Sequence, residues 1–148
     1  MEKNYYYLSE NNNVNVIKQS SAMGKRIEVM ELYDLGLSYS SGDTESKKKA
    51  VKYLRKAANQ GHAMAQYMMG YFYQNGEGVK KDPVKAVKWF QKAAEQNMPG
   101  GLFVLASCYD FGDGVKQNKA KAIEYYIKAA ELGDVGAIEN LESMICKV

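Results

Sequence analysis

"AQYMMGYFYQNGEGVKKDPVKAVKWFQKAAEQN", residues 65–97, and "GLFVLASCYDFGDGVKQNKAKAIEYYIKAAELG", residues 101–133, are two spellings of one unit, brought into register by a shift of 36. Tyr73 falls on Tyr109, Gly76-Glu77-Gly78-Val79 on Gly112-Asp113-Gly114-Val115, and Ala86 on Ala122. Trp89-Phe90 falls on Tyr125-Tyr126, and Lys92-Ala93-Ala94-Glu95 on Lys128-Ala129-Ala130-Glu131. An earlier copy aligns with a shift of 34 over Leu35-Gly36, Tyr39 and Gly42, and of 36 over Ala50, Tyr53-Leu54, Lys56-Ala57-Ala58 and Gly61. Its two missing residues fall in "SSGDTESKKKA", residues 40–50. A half-copy, "DVGAIENLESMICKV", residues 134–148, matches only the first helix of the unit. Self-similarity of this period marks a stacked array, in which each unit buries its apolar face only against its neighbours.

Each unit reads as two helices. In the middle unit Ala65, Met69, Phe72 and Tyr73 recur at spacings of three and four, which predicts a helix A over about 62–74. Asp82 is the expected N-cap of helix B, with Pro83 at its first position, and helix B runs over about 83–96. Ala86, Trp89, Phe90, Ala93 and Ala94 form its inner face, and Lys85, Lys88 and Lys92 its outer one. Asn118 takes the place of Asp82 in the next unit. Gly76 and Gly112 stand where helix A ends, and Gly61, Asn97 and Gly133 where helix B ends, all suited to a left-handed residue. Gly78 and Gly114 are expected to help the chain turn, with Val79 and Val115 pinning the loop to the core. The small residues Gly70, Ala106, Ala93 and Ala94 allow close helix approach, and Tyr73 and Trp89 are expected to fill the adjoining core. The fold class that follows is all-α: a right-handed solenoid of antiparallel helix pairs.

Two short motifs invite a catalytic reading. Asp110-Phe111-Gly112 spells the DFG of protein kinases, but its counterpart one unit earlier is Gln74-Asn75-Gly76, and the accompanying catalytic loop, strand lysine and Walker lysine are missing. The stretch is one repeat's spelling of a loop. Ser46-Lys47-Lys48-Lys49 satisfies Ser-x-x-Lys, yet it stands without Ser-Asp-Asn or Lys-Thr-Gly, where Ser46 can simply start a helix B.

The 148 residues suffice for a real core and are too few for a kinase; 46% are hydrophobic and 25% charged, ordinary for a globular chain. The +3 net charge is unevenly placed: residues 47–92 hold 11 Lys or Arg against Glu77 and Asp82. Such a stripe attracts nucleic acid or acidic partners, but its spacing also fits a solvated helix surface, and no nucleic-acid motif accompanies it. Cys108 and Cys146 have no CxxC partners, and the single histidine, His62, is expected at the surface, so no metal site or cofactor is predicted. Cys108 reads as a small buried thiol. No signal-like h-region or membrane span is visible, so a chain taken as complete is expected in the cytoplasm.

The series Gly-x-Gly-Val, then Ala, an aromatic pair, Lys-Ala-Ala and Gly resembles the Sel1-like repeat, a subclass of tetratricopeptide-like α/α repeats. The resemblance covers roughly 26–148 and is closest over 62–133. Asn97 replaces the usual Gly, Ala106 replaces the Gly of Gly36 and Gly70, and the first copy lacks the GxGV loop. The organisation implied is 26–61, 62–97 and 98–133 as three repeats and 134–148 as a C-terminal capping helix. Residues 1–25 are read as a degenerate N-terminal repeat or cap, with helix B over 12–23 ending at Gly24 and Tyr5-Tyr6-Tyr7 as a remnant of its helix A.

The resemblance implies a non-catalytic adaptor or scaffold that binds another protein in a concave groove lined by the A helices. Groove positions lie six and three residues before the unit's small residue and one and four after it. Around Gly36 these are Met30, Tyr33, Leu37 and Ser40; around Gly70, Met64, Tyr67, Tyr71 and Gln74; around Ala106, Gly100, Phe103, Ser107 and Asp110. Met30, Tyr33, Leu37, Met64, Tyr67, Tyr71, Gln74 and Phe103 are the predicted binding residues. Packing of Tyr67 and Phe103 between neighbouring A helices is the competing reading. The alternative function is a ligand-binding or hydrolytic protein acting on β-lactam or peptidoglycan fragments, suggested for secreted relatives that carry paired cysteines in each repeat. Nucleic acid and membrane are not expected partners.

Overall fold

A computed structural model describes residues 13–147, with side chains described from Ser20 onward. Among the described residues every regular element is an α-helix. They are α1 (Asn13–Ser40), α2 (Thr44–Asn59), α3 (Ala63–Asn75), α4 (Pro83–Glu95), α5 (Pro99–Phe111), α6 (Lys119–Glu131) and α7 (Val135–Cys146). Extensive packing joins each helix only to its neighbours in sequence, which gives three antiparallel pairs followed by a lone helix. The result is an α/α solenoid.

The pairs close because a large residue of the second helix lies over a small one of the first. A Cβ built on Gly36 would stand 2.6 Å from Cγ of Leu54, and one on Gly70 only 2.3 Å from the Phe90 ring. Tyr126 occupies the equivalent place in the third pair and is buried with Ala106. Ala57, Ala93 and Ala129, all fully buried, let the helices approach without leaving gaps. Tyr73 and Trp89 were expected in this core. Both are only half-buried instead. They sit on the flank of the helix pair, where Arg55 Nη2 donates to the Tyr73 hydroxyl at 3.2 Å and Lys92 Nζ lies 4.6 Å from the Trp89 ring centroid. Phe90, one residue on, is the side chain that the helix turns inward.

The caps follow the local chemistry. Asp82 Oδ1 accepts from the Lys85 amide and Asn118 Oδ1 from the Lys121 amide, both at 3.0 Å. Pro83 opens α4 as expected. Gly76 and Gly112 close α3 and α5 in the left-handed conformation, and Gly61, Asn97 and Gly133 turn the chain after α2, α4 and α6. Both long loops are pinned alike, by the Asp82 amide on the Tyr73 carbonyl and the Asn118 amide on the Tyr109 carbonyl, each at 2.8 Å. The first pair makes a shorter turn, and α2 begins earlier than Ser46: Asp43 is its cap, accepting from the Ser46 amide at 2.9 Å.

At the N-terminal end, α1 runs uninterrupted through Gly24. The helix exit expected there is not made, since nothing crowds that glycine and its neighbours carry on the helix. The Tyr5-Tyr6-Tyr7 segment lies outside the described residues. Among the described residues, no helix is long and apolar enough to cross a membrane.

Candidate functional site

The aromatic residues three positions before each small residue bridge one pair to the next. Tyr67 lies against Gly100 at the start of α5, whose Cβ would be 3.4 Å from its ring. Phe103 lies against Gly136 of α7 in the same way, at 3.1 Å. Tyr33 stacks on His62, ring centroids 4.3 Å apart. Tyr33, Tyr67 and Phe103 are therefore half-buried joints between successive A helices rather than free side chains. Gly136 is the clearer signal of this, because a Cβ there would crowd the Phe103 ring, whereas one at Gly100 would only touch Tyr67.

The residues on either side of these joints stay open. Met30, Leu37, Met64 and Tyr71 are exposed by 59, 44, 40 and 37%. Tyr71 is held from behind: its ring meets Phe90 edge-on at 5.5 Å and Tyr67 at 4.8 Å, and its hydroxyl accepts from Tyr67 at 3.0 Å. Burial, reinforced by that hydrogen bond, pushes the Tyr67 hydroxyl far above the usual phenol range, so Tyr67 stays neutral. Beside Tyr71 lies an open hollow of about 300 Å³ lined by Ser40, Met68, Tyr71, Phe72, Asn75 and Glu77.

Other positions of the predicted groove are already engaged. Gln74 Nε2 donates to Asp113 Oδ2 at 3.1 Å, tying α3 to the next unit's loop. Asp110 is buried and paired with Lys119, and Gln117 donates to its carbonyl. The DFG-like stretch is thus spent on structure: Asp110 is neutralised, Phe111 faces solvent and Gly112 is the helix cap. In the third unit the Tyr126 hydroxyl is buried beside Ser107 and Asn140.

Sequence reasoning missed His62. It is the N-cap of α3, its Nδ1 accepting from the Ala65 amide at 3.2 Å, and it is the platform on which Tyr33 stacks. Nδ1 accepts only in the neutral ring. Burial pulls the imidazole pKa down, against a smaller upward pull from Asp34. The unfolded chain therefore takes up a proton first. Stability from this group is complete above the unfolded value, about 6.5, and is lost as pH falls through it toward the lower folded value. The melting temperature is expected to fall between about pH 7.5 and about pH 5, and His62→Asn should flatten the profile there. The cap sets the scale, about 1 kcal/mol or less. No other histidine titrates in that window, since the sequence has one. An unchanged slope in the variant removes this role.

A second buried polar contact was also invisible to sequence. Gln66 Nε2 donates to the Ala58 carbonyl at 3.1 Å, and Gln96 Nε2 donates to Gln66 Oε1 at 2.8 Å and the Gly61 carbonyl at 2.9 Å. The Gln66 amide adds a second donor to the Ala58 carbonyl, which already accepts from the Gly61 amide at 3.0 Å, and Gln96 satisfies the Gly61 carbonyl just past α2. The Ser-x-x-Lys residues do not form a nucleophile and base: Ser46 packs over Gly42, while Lys49 Nζ sits 5.5 Å from the Tyr39 ring centroid. Cys108 is a buried free thiol, pushed up to about 11 by burial, with Asp113 adding to the shift; it is inert as a nucleophile at neutral pH.

Comparison with known proteins agrees with this geometry. The family model described as "Sel1 repeat" matches residues 32–62, 63–98 and 99–134. No curated protein matches the sequence. Among solved structures, the chain is similar to a protective antigen of uropathogenic Escherichia coli strains that displays an SLR fold. That match has TM-score 0.75 and 38% identity, over 81% of this chain and 26% of the antigen. A Sel1 repeat protein from Oxalobacter formigenes matches with TM-score 0.69 and 38% identity, over 74% of this chain and 45% of that one. Helicobacter pylori cysteine rich protein B matches with TM-score 0.63 and 27% identity, over 77% of this chain and 92% of that one. The chain spans about a quarter of the first relative's length and under half of the second's.

Proposed function

Because the chain belongs to the Sel1 repeat family, whose members commonly serve as protein-interaction modules, we propose that it is a non-catalytic adaptor that holds a peptide or helix of another protein along the concave face of its A helices. The carrying observation is Tyr71, an exposed aromatic braced by Phe90 and Tyr67 at the rim of an open hollow. A ring fixed in this way gives large contact area at little entropic cost and keeps a polar tip for a hydrogen bond. Met30, Leu37 and Met64 extend the apolar stripe, and exposed apolar surface of this kind marks an interaction site. Met64 and Met30 add side chains that adapt to an irregular partner. Tyr33, Tyr67 and Phe103 shape the groove as joints, and Gln74 fixes its edge. The β-lactam or peptidoglycan alternative finds no support in the placement of Ser46 and Lys49.

Affinity capture with the wild-type chain as bait identifies the partner, and the same capture with Tyr71→Ala tests the face. Tyr71→Ala is expected to weaken binding by about 1–2 kcal/mol, a central interface residue's share, while the melting temperature moves little. Lys88→Ala, on the opposite side of the solenoid, should change neither. Loss of binding through Lys88 with Tyr71 silent would move the site to the other face.

A further inference from the structure

A hollow of about 390 Å³ lies between α2 and the loop joining α3 to α4. Its floor is apolar, made by Val51 and Val79, and its rim is cationic, made by Lys48, Lys52, Arg55 and Lys56. Gly78 brings the loop down: a Cβ there would stand 2.6 Å from the Lys47 carbonyl, so only glycine lets Val79 reach α2.

The charges around this hollow fall into two groups. Lys47 pairs with Glu77 and Lys48 with Glu45, at 2.8 and 2.7 Å. Lys52, Arg55 and Lys56 form no ion pair among the described residues, although they stand one helical turn apart on the same helix. Like charges at that spacing cost helix stability. Arg55 is held in place by its hydrogen bond to the Tyr73 hydroxyl. The Tyr73 ring also lies 5.7 Å from Lys85 Nζ of α4, which is itself paired with Asp82 at 3.4 Å, so cations from the second helices of two successive units approach one tyrosine.

From an apolar floor beside three uncompensated cations, Lys52, Arg55 and Lys56, we infer a second interaction site, built on α2 rather than on the A-helix groove and specific for an acidic protein segment. An aliphatic side chain of that segment seats between Val51 and Val79, and flanking carboxylates meet Lys52, Arg55 and Lys56. Charge complementarity names the flanks and the floor names the centre. A nucleic-acid strand fits less well, since no aromatic ring lines the hollow and base stacking is what holds single strands in such grooves.

The test uses the whole chain and a fluorescein-labelled peptide of one leucine flanked on each side by two glutamates, followed by anisotropy at low and physiological salt. Binding is expected, weakened by salt. The double charge reversal Lys52→Glu with Lys56→Glu is expected to lower affinity about tenfold or more. Replacing the peptide's leucine with glycine should lower it severalfold, and Tyr71→Ala should leave it unchanged. Both lysines are exposed, and circular dichroism of the variant confirms that it folds. Three outcomes overturn the inference: no binding at low salt, indifference to the charge reversal, or equal affinity for the glycine peptide, which would reduce the hollow to unspecific attraction. A uridine oligonucleotide run in parallel gives the fourth. If it binds more tightly than the peptide and loses affinity on the same charge reversal, the surface is one for nucleic acid.

Discussion

Phe90→Ala is expected to destabilise the protein by about 3–5 kcal/mol, the cost of truncating a large aromatic with no exposed surface, and to lower the melting temperature by on the order of 10 °C. Phe90 is fully buried, and its ring lies directly on Gly70, which offers no side chain to fill the space. The same ring backs Tyr67 and Tyr71. Its loss should therefore also release Tyr71 and weaken binding on the A-helix face beyond the effect on stability. Because each helix packs mainly against its chain neighbours, the damage should be local. Hydrogen exchange should rise first in α3, α4 and α5. A variant that keeps the wild-type melting temperature would show that the Phe90–Gly70 contact does not hold the pair together. Phe90→Leu, which copies Leu54 of the first unit, should recover most of the loss.

Gly114→Ala is expected to cost about 3 kcal/mol, more than a left-handed residue alone, for which about 1–2 kcal/mol is usual. Two effects add at this position. Gly114 has φ +71, and its Cβ would stand 2.2 Å from the Pro83 carbonyl oxygen, a rigid part of the preceding unit. The loop must lift, and Val115 then leaves its half-buried place against the core. Gly133→Ala separates the two effects, because Gly133 has φ +86 but open space around its Cβ position. Thermal unfolding of both variants should give the larger loss for Gly114. Equal losses would mean that conformational strain alone explains the glycine, and that the approach to Pro83 relaxes at no cost.

The loop motif shows how far sequence reading reached. Matching copies exposed Gly78 and Gly114 as special, and turning was the role expected of them. The chain does turn there. What the alignment hid is that each also rests on the first turn of the preceding unit's second helix, at Lys47 and at Pro83. That contact joins residues dozens of positions apart, and no periodicity encodes it. The groove was legible to a similar depth. Position in the repeat picked out Tyr33, Tyr67, Tyr71 and Phe103 together, since all four are aromatic and all lie on the first helix of a unit. Only the spatial neighbours sort them: Gly100 and Gly136 receive Tyr67 and Phe103, while Tyr71 is left at the surface. Trp89 and Phe90 make the same point, because an aromatic pair on a helix names two candidates for one core position.

By itself, then, the sequence determined the helix pairs, their caps and their stacking, because these rest on short-range chemistry repeated at a fixed period. Asp82 caps where Asp82 stands, glycine turns where a positive φ is needed, and three matching units have no other way to bury their apolar faces. The tertiary structure alone decided which side chains are free. Whether Tyr71 meets solvent, whether Gln74 and Asp110 are already engaged, and whether Lys52, Arg55 and Lys56 lack a counter-charge all depend on what the adjoining unit brings within a few ångströms. That is fixed by the packing of one pair on the next, and a one-dimensional pattern carries the spacing of these residues but not their company.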